Sequence, residues 1–412
     1  MRRAGIAVGA GMLMLLAGPP LCAAAEPAAS TRLAQAGVQG GVQRAVIASP
    51  TGADQSAPLI SLLLPLNAPE FAAAANAVQQ GCGAALALAS PKPRSEIVRT
   101  AAGAAGARDA WNTAAAHGAA VIVGPLTRDA VNALAGSLLS SPAEVNAGTS
   151  SPPPFTIALN AVDAGPGSAA QSPAGFYSFG LPVEAEAHAA AELAWSDGMR
   201  SMLIVQSAGP LGQRASSAFA EAWQARGGHL LGVEALTPGT DLDALRQRYS
   251  ADGEHDRPEA FFIAANADEA RLVRPYLGSA SPVYATSQVN DGRRDGAASF
   301  DLSGIRFVDM PWLLEPDHPA VMVYPRPETA NFDLQRLYAL GIDACRMAEL
   351  LIGQPASGTQ LSLDGVTGRL TVDVSRDAGD AASHAVSRQP LPASFLGGAG
   401  VVVDGTGSAS PQ

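Results

Sequence analysis

Residues 202–206 read Met-Leu-Ile-Val-Gln, an apolar run of strand length. A helical pattern over 213–226 follows, and Gly227-Gly228 closes it as helices commonly close. His229 to Leu236 reads as the next strand, Asp241 to Tyr249 as a helix and Ala260 to Ala265 as a strand. Ala267 to Leu277 is again helical, and Pro282 to Thr286 is a strand. Strands separated by helices of roughly 10 to 15 residues imply βαβ crossovers and a parallel sheet covered by helices on both faces.

The same alternation runs outward toward the N-terminus. Ile60 to Leu66 (Ile-Ser-Leu-Leu-Leu-Pro-Leu) is a buried-strand run, followed by a helical pattern over 68–88 with Phe71 and Val78 on its apolar stripe. Ala119 to Val123 is a strand that Gly124-Pro125 breaks, and Thr127 can cap a helix through Leu138. Pro154 to Leu159 is a third strand, and a loop rich in Gly, Ser and Pro spans 160–175. Toward the C-terminus, Ile305 to Leu314 reads as a strand and its end, Asn331 to Ile352 as a long helix, and 361–374 as a hairpin around Gly365 to Gly368.

The fold expected is α/β with two lobes, each a mainly parallel sheet. The first lobe covers 58–175 and the second, which opens with a helix over 184–195, covers 176–327. A helix within 328–360 follows the second block, 361–396 closes the fold, and 397–412 is a tail. In open α/β sheets ligands sit beyond the carboxyl ends of the strands. Asn67, Gly124, Pro125, Thr127 and Asn160 all fall there in the first lobe and are the candidate cleft residues. Turn geometry and capping explain the same residues without a ligand.

Composition narrows the function. The chain carries 26 basic against 37 acidic residues, for a net charge of -11, and Lys92 is its single lysine. That balance argues against an electrostatic grip on nucleic acid or on an anionic membrane surface. At 412 residues, and roughly 150 per domain, two or three domains are expected. No G-x-S-x-G elbow, S-x-x-K, H-E-x-x-H, P-loop or strand-following G-x-G-x-x-G is present. The six histidines are scattered, so no catalytic residue, metal site or cofactor is expected. Glu184 and Glu186 complement the dipole of a helix start, and Asp309 has no evident partner.

Arg2-Arg3 followed by an apolar stretch over 4–17, with Ala23-Ala24-Ala25 beyond it, has the form of an export signal over 1–25. Residues 26–57, rich in Ala, Gly, Gln, Ser and Pro, read as a tether. Cys82 and Cys345 then remain, and in an oxidising compartment they permit one disulfide; two buried thiols are the alternative.

Several segments resemble the penicillin-binding protein activator family, also described as LppC-type lipoproteins. They are Leu63 to Leu66, Ala119 to Leu126, Phe176 to Leu181 and Pro282 to Ser287. The most specific are Leu302 to Leu314 (LSGIRFVDMPWLL) and Arg336 to Ala344 (RLYALGIDA). The resemblance covers roughly residues 58–375. It implies a type I periplasmic-binding-protein-like fold, in which the helix within 328–360 returns to the first lobe, and a periplasmic regulator, associated with the outer membrane, that stimulates a bifunctional class A penicillin-binding protein. An ordinary solute-binding protein of an ABC transporter, closing on an amino-acid-like ligand, is the rival reading. Trp312, beside Pro311 at a strand end, is either a core plug or an anchor for the partner.

Pro19-Pro20-Leu21 before Cys22 departs from the small residues that precede an acylated lipoprotein Cys. Cleavage near Ala25 is therefore expected. Mass spectrometry of the mature N-terminus checks this, and a diacylglyceryl-modified Cys22 as first residue would overturn it.

Overall fold

A computed structural model describes residues 56–403 apart from 102, 142–151, 164–168, 250–256, 279–280, 294–299, 354 and 397–398. The expected export signal with Cys22, almost all of the tether and residues 404–412 of the tail lie outside the described residues. Among the described residues no helix is long and apolar enough to cross a membrane.

Strands β1 (Leu59–Leu64), β2 (Arg94–Arg99), β3 (Ala119–Val123), β4 (Phe155–Ala158), β5 (Gln171–Ser172) and β6 (Phe176–Ser178) come first. All but β5 form a parallel sheet ordered β2-β1-β3-β4-β6. Helices α2 (Ala107–Ala116) and α3 (Arg128–Ser140) cover one face, where Trp111 and Leu134 pack on Leu63, Ile122 and Phe176. Helix α1 (Ala72–Leu88) lies on the opposite face. Alternate residues of each strand thus serve opposite faces, and the strands read as continuous apolar runs because both faces are covered. β2 is the exception. Its sequence Arg-Ser-Glu-Ile-Val-Arg alternates in exposure along the sheet edge, which is why hydrophobicity did not mark it as a strand.

Next come α4 (Val183–Ser196), β7 (Ser201–Ser207), α5 (Pro210–Ala225), β8 (His229–Leu236), α6 (Leu242–Arg248), β9 (Ala260–Ala264), α7 (Ala267–Val273), β10 (Val283–Ala285) and β11 (Ile305–Asp309). The helix expected over 267–277 ends as a 3-10 turn, Arg274–Leu277, where Pro275 supplies no N–H. After β11 the chain forms α8 (Pro311–Leu314), α9 (Pro319–Met322) and α10 (Phe332–Ile352). It then forms β12 (Gln360–Asp364), β13 (Arg369–Asp373), β14 (Gly379–Asp380), β15 (Ser387–Gln389), β16 (Leu391–Leu396) and β17 (Ala399–Val402). The second sheet is ordered β17-β16-β11-β10-β9-β7-β8, with β16 and β17 added antiparallel. β12, β13 and β15 make a small antiparallel sheet, and β14 pairs with β5.

Two boundaries differ from expectation. Phe176–Ser178 belongs to the first sheet, paired with β4, so the first lobe extends past residue 175. The expected tail begins as β17, because Ala399 to Val402 complete the edge of the second sheet beside β16. The run is too short and too rich in Gly to announce itself as a strand.

Helix α10 packs on α1 and into the core beneath the first sheet. α10 crosses α1 so closely that a Cβ on Gly81 would stand 1.9 Å from the Tyr338 carbonyl oxygen, and one on Gly341 would stand 2.2 Å from that of Val78. Beside this contact Cys82 and Cys345 are joined in a disulfide, with their Cα atoms 5.3 Å apart. Asp343, fully buried on α10, accepts hydrogen bonds from the amides of Val366 (3.1 Å) and Thr367 (2.8 Å) and from the Thr367 hydroxyl (2.7 Å), which pins the β12–β13 turn to the helix.

Reduction of this disulfide, which links residues 263 apart, should lower stability by roughly 2–5 kcal/mol, the usual range for a native crosslink. Gly341→Ala should destabilise by at least about 1–3 kcal/mol through overpacking. Denaturant titrations of the oxidised, reduced and variant chains measure both effects.

Candidate functional site: the junction between the lobes

The chain passes between the lobes three times: after β6, after β11 and after β15. A buried charge lies close to each crossing. Glu186 sits in the first turn of α4, Asp309 ends β11, and Arg388 lies in β15. Arg336, in the first turns of α10, is the fourth. Glu186, Asp309 and Arg336 are buried, with relative exposures of 3 %, 0 % and 5 %, and Arg388 is half-buried with its side chain 5 % exposed.

Arg336 donates from Nη2 to Asp309 Oδ2 at 2.8 Å and from Nε to Oδ1 at 3.3 Å. Its Nη2 also reaches the carbonyl oxygens of Ser287 (3.0 Å) and Asn290 (2.9 Å), in the turn beyond β10, and Nη1 reaches Asp333 at 2.9 Å. Asp309 accepts further bonds from Asn290 Nδ2 and the Met310 amide, both at 2.9 Å. Glu186 accepts from Arg388 Nη2 and from the Ser287 amide, both at 3.1 Å. Burial works against the charge on Arg336, but Asp309, by its charge and hydrogen bonds, outweighs it and holds the guanidinium above its ordinary pKa. Each of the four charges thus meets an opposite charge and at least one further hydrogen-bonding partner within the junction.

A second group of charges lies nearer the surface. Arg214 of α5 forks onto Glu184 at 2.7 and 2.9 Å, and Arg128 of α3 lies 3.9 Å from the same carboxylate while it also grips Asp163. Arg128 hydrogen-bonding holds Asp163 below its ordinary pKa. Glu184 is likewise depressed, burial opposing and Arg214 prevailing. Both therefore stay ionised at neutral pH, and their contribution to stability is lost only as pH falls through those depressed values. Glu184 and Glu186 thus do more than complement a helix dipole, and Asp309 has a partner that sequence reasoning missed. Charged residues at buried positions of an apolar helix, Arg336 and Asp343 above all, were the available signal.

The five candidate cleft residues do not converge. Thr127 and Asn160 share a depression of about 460 Å³ with Phe71, Leu126 and Leu337. Thr127 occupies the N-cap position of α3 without a side-chain cap bond, and Asn160 donates to the Leu126 carbonyl at 3.3 Å. Gly124 and Pro125 are buried beneath, where a Cβ on Gly124 (φ +114°) would meet the Leu63 carbonyl oxygen at 2.2 Å. Asn67 is exposed, its amide bonded to the Thr100 carbonyl, and does not line the depression. A separate polar cavity of about 290 Å³ opens at the junction itself, walled by Asn266, Asn290, Asp291, Asn331 and Arg336 among others. Among the described residues no cluster of three or more His, Cys, Asp or Glu side chains is placed to hold a metal.

Trp312 is a core plug. It is fully buried, 5.3 Å from the Tyr338 ring, with the Arg326 guanidinium 4.0 Å above its face and its amide bonded to the Val366 carbonyl. Its indole N–H finds no acceptor, so packing holds the ring. As a partner anchor it is ruled out, since nothing of it reaches the surface.

Residues 53–378 match the family model described as LppC putative lipoprotein. The chain belongs to this family. The penicillin-binding protein activator LpoA of Haemophilus influenzae is 29 % identical over 264 residues, covering 62 % of this chain and 42 % of that protein. This LppC chain thus spans less than half the length of that curated relative. Among solved structures, the C-domain of Haemophilus influenzae LpoA, described as a regulator of PBP1A, superposes with a TM-score of 0.63 at 24 % identity, covering 84 % of this chain and all of that domain. A putative branched-chain amino acid ABC transporter from Chromobacterium violaceum superposes with a TM-score of 0.64 at 33 % identity, covering 82 % of this chain and 99 % of that one. The two-lobed periplasmic-binding-protein-like fold expected from the sequence is therefore the fold of this LppC chain.

Trp312→Ala should cost about 3–5 kcal/mol of stability, the range for emptying a buried aromatic site. Asp309→Ala, which takes from Arg336 its buried partner and leaves it only the exposed Asp333, should cost about 3 kcal/mol. Chemical denaturation checks both.

Proposed function

We propose that this LppC protein activates a bifunctional class A penicillin-binding protein by direct contact in the periplasm, held near the outer membrane, and performs no chemistry itself. The observation that carries this reading is family membership, joined to its similarity to proteins named penicillin-binding protein activators. The part of LpoA that the chain matches is the C-domain, so activation would reside in the two-lobed body.

The likeness to a putative branched-chain amino acid transporter supports a second reading, capture of an amino-acid-like solute. A solute binder presents convergent polar groups in its cleft. Of the five residues the sequence nominates, only Thr127 and Asn160 meet; Arg128 and Asp129 line the same depression, and Arg128 is already engaged by Asp163 and Glu184. That arrangement favours the regulator.

The deciding experiment adds the purified mature protein to class A synthases while glycan polymerisation and peptide crosslinking are followed. Calorimetry with branched-chain amino acids runs beside it. A faster synthase with no heat of amino-acid binding is expected. An unchanged synthase together with saturable amino-acid binding would replace the regulator with the solute binder.

A further inference from the structure

We infer that the buried pairs Arg336–Asp309 and Arg388–Glu186 lock the two lobes at one angle, so that the protein presents a fixed two-lobed surface rather than opening and closing. The lock is a property of this chain, whichever partner it serves.

The two cations and the two carboxylates come from opposite sides of the junction. α10 is packed into the core of the first lobe through Tyr338, Ala339, Leu340 and Ile342. The small sheet that carries Arg388 joins the same core through Val366, Leu370 and Val372. Asp309 belongs to the second sheet, and Glu186 lies on α4, which packs against that sheet through Ala187, Ala190 and Ala191. Both guanidiniums therefore reach from the first lobe to carboxylates of the second.

The bonds also converge on one turn. Arg336 donates to the Ser287 and Asn290 carbonyl oxygens, Glu186 accepts from the Ser287 amide, and Asn290 donates to Asp309. A rotation of one lobe by a few ångströms breaks these bonds together. It leaves two guanidiniums and two carboxylates half-paired, and a buried charge that loses its partner is heavily penalised. Proteins that close on a ligand need two states of nearly equal free energy, with hinge residues free to absorb the change. Here charges near all three crossings are tied into the junction. Burying ionic groups is a poor way to add stability but a well-attested way to specify one arrangement among several.

The test measures the lobe separation in solution. Nitroxide labels are placed on the exposed helix positions Ser140 of the first lobe and Glu221 of the second, through Ser140→Cys and Glu221→Cys with Cys22→Ala, and their distance distribution is recorded by pulsed electron spin resonance. The wild-type junction should give one narrow population, unmoved by added leucine. With the further pair Glu186→Gln and Arg388→Gln, a chain that still folds by circular dichroism should show a second population, of at least about a tenth of the molecules. Should that variant not fold, Arg388→Lys, which keeps the charge but loses the forked donor, is read the same way. Two populations in the wild-type junction, a leucine-dependent shift, or a folded variant with an unchanged distribution would each overturn the lock.

Discussion

The backbone contact between α1 and α10 is the constraint on which most of this structure depends. Gly81 and Gly341 bring two helices from opposite ends of the chain to a distance that admits no side chain between them. The disulfide beside them joins the same helices. Once α10 is held there, its register is settled, and three side chains of different purpose fall into place along it. Arg336 reaches the second lobe, Asp343 receives the turn of the small sheet, and Cys345 meets Cys82.

The small sheet is the less expected member of this arrangement. It is anchored to α10 by a buried carboxylate, contributes Val366, Leu370 and Val372 to the first-lobe core, and then sends Arg388 toward Glu186. The chain goes from it directly into β16, which extends the second sheet antiparallel. A single segment of some forty residues therefore braces the first lobe, contributes to the junction and finishes the second lobe. This explains why the junction is crossed three times and why charge is buried close to every crossing.

The fold shared with solute-binding proteins settles little about function, because function resides in sites and not in architecture. In this LppC chain the polar groups of the junction are bonded to one another, as where Asn290 holds Asp309 and Arg336 holds the turn beyond β10. The two segments that carry the family resemblance most specifically contain Asp309 and Arg336, the two ends of the central ion pair.

By itself the sequence determined the two-lobed α/β architecture, because apolar strands of buried length alternating with amphipathic helices have few other ways to bury both faces of a sheet. It also showed the long helix and the hairpin at 361–374, both marked by local periodicity and turn residues, while the helix's place in the first lobe was implied only by the family resemblance. The edge strands β2 and β17 escaped it, since an exposed edge relaxes the demand for apolar residues on which such reading depends. The partners of Glu186 and Asp309 were decided only by the tertiary structure: 202 residues separate Glu186 from Arg388, and no local pattern records a pairing at that range. The same holds for Trp312, for which the sequence favoured a core plug over a surface anchor without naming what it packs on; α10, bringing Tyr338 against it, placed it in the core.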